Sequence, residues 1–261
     1  MNSQPHLKNI ETISPYVLLP GDPARVDRIG VSLDGFKIVG QNREFRIGSG
    51  TYRGIPITVC STGIGCPSTA IAVEELINLG AKVLIRVGTC GGAWRKDIPL
   101  GSLVIPTACI RDEGTTREYI APEFPAVADC SVVRALTESA KRAQARCFSG
   151  INRTHDAFYG AQRSITKWGS YLADERWAGV TTPILSSEME CAALYVIASL
   201  CRVQAGAVLA VNADPEPLEE RIRGATQAVR SENSEEVTEV TVAQMITVAL
   251  EAIVVLAAQT K

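Results

Sequence analysis

Short, apolar β-rich runs alternate with segments of helical periodicity along most of the 261 residues, and this alternation limits the possible fold more than any other feature. Glycine or proline bounds the runs, as is typical of strand ends. The predicted strands are Tyr16–Pro20, Ile55–Cys60, Val83–Val87, Leu103–Pro106 and Ala205–Val211. Apolar residues at helical spacing predict helices over Ser68–Leu79, Val132–Ala145, Glu188–Cys201 and Ser234–Ala258. We therefore expect an α/β fold whose helices cover a mostly parallel sheet.

Two segments do not follow this alternation. Residues 33–52 alternate apolar and polar side chains with glycines, which predicts an antiparallel hairpin. Residues 215–230 are charged, with prolines near their start, and are typical of a surface loop. Such a loop is either a lid over a site or an ordinary solvated insertion. No repeat or flexible linker divides the chain, so we expect one domain over residues 1–261.

Composition excludes several classes of partner. A net charge of −2 gives no electrostatic basis for binding nucleic acid or an anionic membrane, so a bound anion would need cations within a pocket. The apolar run 246–258 contains Glu251 and is shorter than the roughly 20 residues of a membrane span. Eight scattered cysteines without a C-x-x-C pair favour free thiols in the cytoplasm. With only two histidines in the chain, no metal site is expected.

Glycine-rich turns follow three predicted strands, at the positions where α/β sheets bind ligands. They are Gly21–Arg25, Thr62–Gly65 and Gly88–Gly92. Glycines let the backbone approach an anion closely, and Arg25 stands in the first turn. Arg86 interrupts an otherwise apolar strand, where an unpaired guanidinium is costly. Arg86 is therefore either an anion ligand or half of a buried ion pair.

Two further segments carry polar chemistry. Glu188 and Glu190 flank Met189 at the start of a predicted helix, where they either grip vicinal sugar hydroxyls or belong to a helix cap made by the preceding serines, Ser186 and Ser187. Residues 156–163 combine aromatic side chains with an amide. There, Phe158 could stack on a nucleobase while Gln162 reads its edge, or the aromatic residues could simply close the core.

Taken in chain order, these segments resemble the hexameric nucleoside phosphorylases, and among them most of all the bacterial-type uridine phosphorylases. The resemblance covers almost the whole chain. The matching motifs are Leu19–Val26, Asn42–Phe45, Cys60–Thr69, Ile71–Leu76, Arg86–Gly91, Glu123–Asp129 and Glu188–Glu190.

This resemblance implies roles for individual residues. It assigns phosphate to Gly21, Arg25, Arg86 and Thr89, with Arg43 supplied by a neighbouring subunit. It assigns the ribose to Met189 and Glu190, with His6 reaching in from the adjacent subunit. It assigns the base to Cys90, Gly91, Phe158, Gln162 and Arg163. The catalytic set it implies is Arg25, Arg86, Gln162 and Glu190.

The same resemblance implies a phosphorylase-type three-layer sandwich around a mixed, largely parallel sheet, assembled as a homohexamer, a trimer of dimers. The implied reaction is reversible phosphorolysis of uridine to uracil and ribose 1-phosphate, with inorganic phosphate as co-substrate and no required cofactor. A monovalent cation such as K⁺ near Glu44, Ile64 and Ser68 is a further implication.

The base-binding motifs depart from the uridine phosphorylase pattern. That pattern has Gln-x-Arg, whereas Arg163 here follows Gln162 directly. It also has an arginine after Val-Asn, where this chain has Ala213. Against a purine, the purine phosphorylases of the family place an aspartate at the position of Asn212 as a general acid, and Asn212 cannot donate a proton in that way. The two missing arginines still leave the base open. A purine nucleoside or methylthioadenosine phosphorylase is therefore the main alternative, ahead of a nucleosidase that uses water or a non-catalytic nucleoside-binding protein.

Overall fold

The computed structural model of the chain describes residues 4–91, 97–159, 184–212 and 234–259. Its strands are β1 (Tyr16–Leu19), β2 (Asp34–Asn42), β3 (Phe45–Tyr52), β4 (Ile55–Cys60), β5 (Val83–Cys90), β6 (Leu103–Asp112), β7 (Ala126–Val127), β8 (Cys147–His155), β9 (Ile184–Glu188) and β10 (Gln204–Val211). Its helices are α1 (Pro23–Gly30), α2 (Cys66–Asn78), α3 (Thr115–Tyr119), α4 (Cys130–Arg142), α5 (Cys191–Leu200) and α6 (Ser234–Gln259).

One mixed sheet runs through the described residues in the order β2-β3-β4-β1-β5-β10-β6-β8-β9, with β7 paired to β6. The central strands β4, β1, β5 and β10 are parallel to their neighbours in that group, and β6 pairs antiparallel to β10. The β2–β3 hairpin adds two antiparallel strands at one end. The predicted α/β fold with a mixed sheet is confirmed, as is the hairpin over residues 33–52.

Helices cover both faces of the sheet and give the fold three layers. One apolar cluster contains residues of α2 and α5, and a second contains residues of α1, α4 and α6. The central strands contribute alternate side chains to each cluster: Leu84 of β5 packs in the first and Ile85 in the second. Two-sided burial explains why these strands read as continuous apolar runs in the sequence.

Local chemistry explains where the elements begin. Asp22 and Asp129 are the N-caps of α1 and α4, and each carboxylate accepts backbone N–H bonds of the first turn. Gly65 precedes α2 with a φ of 92°, a left-handed conformation that favours glycine. The β2–β3 turn holds Arg43 at a φ of 52°, which is uncommon for a residue with a side chain.

Several predicted boundaries are wrong. Strand β5 extends to Cys90, so most of the predicted third glycine turn continues the strand. Helix α5 begins at Cys191 and not at Glu188, because Glu188 is the last residue of β9, which also contains Ser186 and Ser187. Strands β8 and β9 were not predicted at all. The segment 215–230 lies outside the described residues.

Helix α6 confirms the helix predicted over Ser234–Ala258 and ends one residue later, at Gln259. With 26 residues, it is long and apolar enough to cross a membrane by length and composition. However, 56% of its most apolar 18-residue window is buried inside the fold, and Met245, Ala249 and Ile253 belong to the core. It is therefore built as a core helix that covers one face of the sheet.

Candidate active site

A cavity of about 660 Å³ lies where the carboxyl ends of β1, β4, β5 and β10 meet the ends of β8 and β9. Its volume is in the range of small-molecule sites. An isolated bridge between Gly91 and Ser187 joins the end of β5 to β9 and brings the two halves of the cavity together. Of the residues expected at a site, the cavity wall includes Gly21, Arg25, Glu44, Ile64, Ser68, Arg86, Thr89, Cys90, Gly91, Phe158, Met189 and Glu190.

Arg86 stands on β5 and is 5% exposed. Its Nε donates to Glu188 Oε2 at 3.0 Å, and its Nη2 lies 2.5 Å from Glu190 Oε2. Its Nη1 is buried and has no hydrogen-bond partner within the described part of the chain. The carboxylates outweigh the effect of burial, so the pKa of Arg86 lies above its ordinary value. The ion-pair interpretation of Arg86 is therefore confirmed, and Nη1 is still available for an anion.

That free nitrogen faces the first glycine turn. A Cβ placed on Gly21 would lie 3.8 Å from Arg86 Nη1 and 3.2 Å from the carbonyl oxygen of Gly63. Arg25 is close by, with Nη1 3.3 Å from the carbonyl oxygen of Val87. Burial, and next the positive charge of Arg86, lower the pKa of Arg25. An anion at this turn would relieve the repulsion between the two guanidinium groups.

Glu188 is 4% exposed and is saturated with donors. Its Oε1 accepts from Asn152 Nδ2 at 2.9 Å and Thr154 Oγ1 at 2.7 Å. Its Oε2 accepts from Arg86 Nε and from the backbone N–H of Glu190 at 2.8 Å. The backbone N–H of Cys191 donates to both oxygens. Although burial opposes ionisation, Arg86 and these donors hold the pKa of Glu188 below its usual value.

The N-cap residue of helix α5 is Glu190, and the Glu188 carboxylate, not a serine, accepts the backbone N–H bonds of Glu190 and Cys191 at the helix start. The interpretation in which Ser186 or Ser187 caps this helix is wrong, since both lie in β9. The first N–H groups of a helix have no acceptor within that helix. A carboxylate at the end of the preceding strand can therefore fold back and accept hydrogen bonds from them.

Glu190 has fewer partners than Glu188. Its Oε1 accepts from the backbone N–H of Gly65 at 2.6 Å, and its Oε2 pairs with Arg86. Burial and the negative charge of Glu188 raise its pKa, against the opposing effect of Arg86. A carboxylate offers about four acceptor sites. Glu190 can therefore still accept bonds from two hydroxyl groups in the cavity.

The opposite side of the cavity carries aromatic and amide groups. Phe158 is 66% exposed and meets Tyr159 edge-on at 5.0 Å between ring centroids, so this pair does not close the core. His155 and Asn212 also line the cavity. His155 was missed because β8 was not recognised as a strand that ends at the site. The predicted base ligands Gln162 and Arg163 lie outside the described residues.

His6 and Arg43 do not line this cavity. The His6 carbonyl accepts from Asn42 Nδ2 at 2.9 Å, and the His6 ring meets Phe45 edge-on, so His6 and the β2–β3 turn share one surface. The buried carboxylate of Glu75 holds the segment in place: its oxygens lie 2.7 Å from His6 Nδ1 and 2.6 Å from the backbone nitrogen of Leu7. Within one chain, neither residue contributes to the wall of the Arg86 cavity, although Glu44, next to Arg43, does.

Several known proteins are similar to this chain in sequence and in fold. Residues 15–253 match the Phosphorylase superfamily. A uridine phosphorylase of Treponema pallidum is 48% identical over 200 residues, which are 76% of this chain and 77% of that protein. The crystal structure of uridine phosphorylase from Vibrio fischeri ES114 superposes with a TM-score of 0.79 at 33% identity, covering 97% of each chain. A purine nucleoside phosphorylase from Toxoplasma gondii, in complex with immucillin-H, gives a TM-score of 0.83 at 30% identity, covering 99% of this chain and 98% of that one.

The α/β sandwich and its cavity are thus of the phosphorylase type. The chain belongs to the phosphorylase superfamily, and it is an enzyme of the nucleoside phosphorylase type. Phosphate is the co-substrate of this family.

Proposed function

We propose that the enzyme catalyses reversible phosphorolysis of uridine to uracil and ribose 1-phosphate. The observation that carries this proposal is Arg86, which is held between two carboxylates and keeps Nη1 free at the Gly21 turn, next to Arg25. Two guanidinium groups at a glycine turn suit an oxyanion such as phosphate. The 48% identity to a uridine phosphorylase favours uridine among the nucleosides.

Phosphate would bind between Arg25 and Arg86, with Gly21 and Thr89 completing its surroundings. There it would attack the anomeric carbon of the ribose while the base departs. Holding the two reactants in line can lower a barrier by about 7–11 kcal/mol. The phosphate dianion would also stabilise the positive charge that develops on the sugar ring.

The ribose and the base would occupy the rest of the cavity. Glu190 has free acceptor sites for the 2′- and 3′-hydroxyls, and Met189 would pack against the sugar ring. Phe158 would stack on the base beside Cys90 and Gly91. Gln162 and Arg163 are the proposed ligands of the base edge, where hydrogen bonds that strengthen as negative charge develops would aid its departure.

We further propose that the active site is completed by a partner subunit, within a hexamer built as a trimer of dimers. Neither His6 nor Arg43 lines the Arg86 cavity of its own chain, and the His6 carbonyl contacts Asn42, next to Arg43. A two-fold dimer would let each chain give these residues to its partner, since a two-fold contact is reciprocal. His6 would then bind the 5′-hydroxyl and Arg43 the phosphate.

Three smaller proposals complete this assignment. A monovalent cation such as K⁺ would bind near Ile64 and the Ser68 hydroxyl, which donates to Glu44 Oε1 at 2.9 Å. Residues 1–261 would form one domain. The protein would be cytoplasmic, a location supported by its eight free cysteines, because thiols stay reduced in that compartment.

Base release from uridine, thymidine, inosine, adenosine and methylthioadenosine, each with and without phosphate, tests the proposal. We expect uridine to react only when phosphate is present. Release that ignores phosphate would identify a nucleosidase, and tight binding without release would identify a binding protein. Inactive uridine beside active inosine would refute the choice of base.

A purine nucleoside is the second candidate substrate. The purine nucleoside phosphorylase of Toxoplasma gondii has a TM-score of 0.83 to this chain, and Ala213 stands where the uridine phosphorylase pattern has a base-side arginine. Asn212 counts against a purine, because its amide cannot supply the proton of the aspartate that purine phosphorylases of the family are expected to have there. Activity on inosine or adenosine above that on uridine in the same panel would establish it.

A further inference from the structure

A chain of buried polar side chains runs from β9 through β8 to Arg86. The Ser186 hydroxyl donates to Asn152 Oδ1 at 2.9 Å. The Nδ2 of the same amide donates to Glu188 Oε1 at 2.9 Å, and Glu188 Oε2 accepts from Arg86 Nε at 3.0 Å. Ser186 and Asn152 are fully buried, and Glu188 is 4% exposed. None of the roles proposed above uses Asn152 or Ser186.

Glu188 and Glu190 differ in the number of hydrogen-bond donors that their carboxylates accept from. Glu188 accepts from five different donors, which fills its roughly four acceptor sites. It therefore has no capacity left for a substrate hydroxyl. Glu190 accepts from two donors and keeps that capacity. Glu188 can act on the reaction only through the groups it holds, and the charged one is Arg86.

The orientation of the Asn152 amide is determined by its neighbours. Because Ser186 donates to Oδ1, the NH₂ group must face Glu188, where it also lies 3.4 Å from Thr154 Oγ1. The amide thus presents a donor, and not its oxygen, to a buried carboxylate. A buried charge keeps its geometry only when every partner is in place.

We propose that Asn152 is a positioning residue for phosphate binding. It fixes Glu188, which in turn fixes the guanidinium of Arg86 so that Nη1 faces the Gly21 turn. This inference rests on the proposed role of Arg86 as a phosphate ligand. Without the amide donor, Glu188 Oε1 keeps only Thr154 Oγ1 and the Cys191 N–H as donors, so the carboxylate that orients Arg86 is held less firmly.

The test compares Asn152→Asp with Asn152→Leu in the intact oligomer. Asn152→Asp keeps the shape of the side chain but places a carboxylate against Glu188. We expect its kcat/KM for phosphate to fall at least about tenfold at pH 8, the loss expected for a hydrogen bond to a charged group. Toward pH 5.5 a proton shared by the two carboxyls restores a donor, so the loss relative to wild type should shrink. Asn152→Leu cannot regain a donor, and its loss should stay constant with pH.

Phosphate and uridine are varied separately, and KM for uridine should change less than twofold. Thr58→Val is the matched control, because Thr58 is fully buried on β4, accepts from the backbone N–H of Ser14 and lies outside the cavity. It should lose stability and leave KM for phosphate unchanged. Should neither Asn152 variant fold, Ser186→Ala removes only the hydroxyl that orients the amide, and it should raise KM for phosphate at least threefold.

Phosphate kinetics within twofold of wild type in the folded Asn152 variants would overturn the proposal. If those variants do not fold, the same result in Ser186→Ala would overturn it. An equal rise in KM for uridine, or equal pH profiles for the Asp and Leu variants, would also overturn it. These results differ from a failure of the proposed function, which wild-type enzyme would reveal by releasing base without phosphate or not at all.

Discussion

Replacing Arg86 with alanine should remove two properties at once, because the guanidinium neutralises Glu188 and Glu190 and is also the proposed phosphate ligand. The two carboxylates are only 4% and 5% exposed, so the substitution leaves them buried without their cation. Breaking a buried ion pair from one side costs about 3–5 kcal/mol. For a chain of this size, that corresponds to a fall in Tm on the order of 6–20 °C.

The loss of stability should depend on pH with a definite sign. In the wild type, Arg86 holds the pKa of Glu188 low. In the variant, burial raises the pKa of both carboxyls above the unfolded values, so the native state binds protons more readily than the unfolded state. The stability of the variant then decreases as the pH rises. The gap in unfolding free energy between wild type and Arg86→Ala should therefore be largest near pH 8 and shrink toward pH 5.

Denaturant unfolding at pH 5, 6.5 and 8 in phosphate-free buffer measures this gap, since bound phosphate would itself stabilise the native state. Arg53→Ala is the control: Arg53 pairs with Glu251 on the surface, where an ion pair contributes at most about 1 kcal/mol. In the folded variant, kcat/KM for phosphate should fall about 10²–10³-fold. Any of three results would contradict this prediction. They are an Arg86→Ala enzyme as stable as wild type at pH 8, a difference in unfolding free energy that does not change with pH, and wild-type turnover.

Three further predictions concern other parts of the site. Gly21→Ala places a methyl group 3.8 Å from Arg86 Nη1, where phosphate would bind. KM for phosphate should therefore rise at least about tenfold while KM for uridine stays constant, and equal changes in both would count against a phosphate site at this turn. His6→Ala and Glu190→Gln, each poorly active alone, should regain activity when mixed during refolding, because some mixed dimers hold one intact site; no gain would argue against a shared site. Burial raises the pKa of Cys90 to about 12, so iodoacetamide at pH 8 should leave Cys90 unmodified in the native enzyme and modify it after denaturation. Peptide mass spectrometry measures this, and modification in the native state would contradict the burial of Cys90.

Local sequence patterns were sufficient for much of the fold. Ile55–Cys60 was predicted to the residue, because an apolar β-rich run between glycine and polar turns has few alternatives. The β2–β3 hairpin followed from its period of two. Strand β8 was not found, because its sequence contains Asn152, Arg153 and Thr154, and their burial depends on partners far along the chain.

For the site, the sequence identified residues with suitable chemistry, but their contacts with one another depend on how the sheet packs. Glycine turns and an arginine within an apolar strand were readable because backbone conformation and charge burial are local demands. Whether Arg86 pairs with an acid or binds an anion was open, and the structure shows that two of its nitrogens pair with Glu188 and Glu190, while Nη1 is left for the proposed anion. The residue pattern alone did not separate Glu188 from Glu190, and only the resemblance assigned the ribose to Glu190. Folding separates them, because hydrogen-bond saturation depends on residues that only the packed sheet brings within 3 Å.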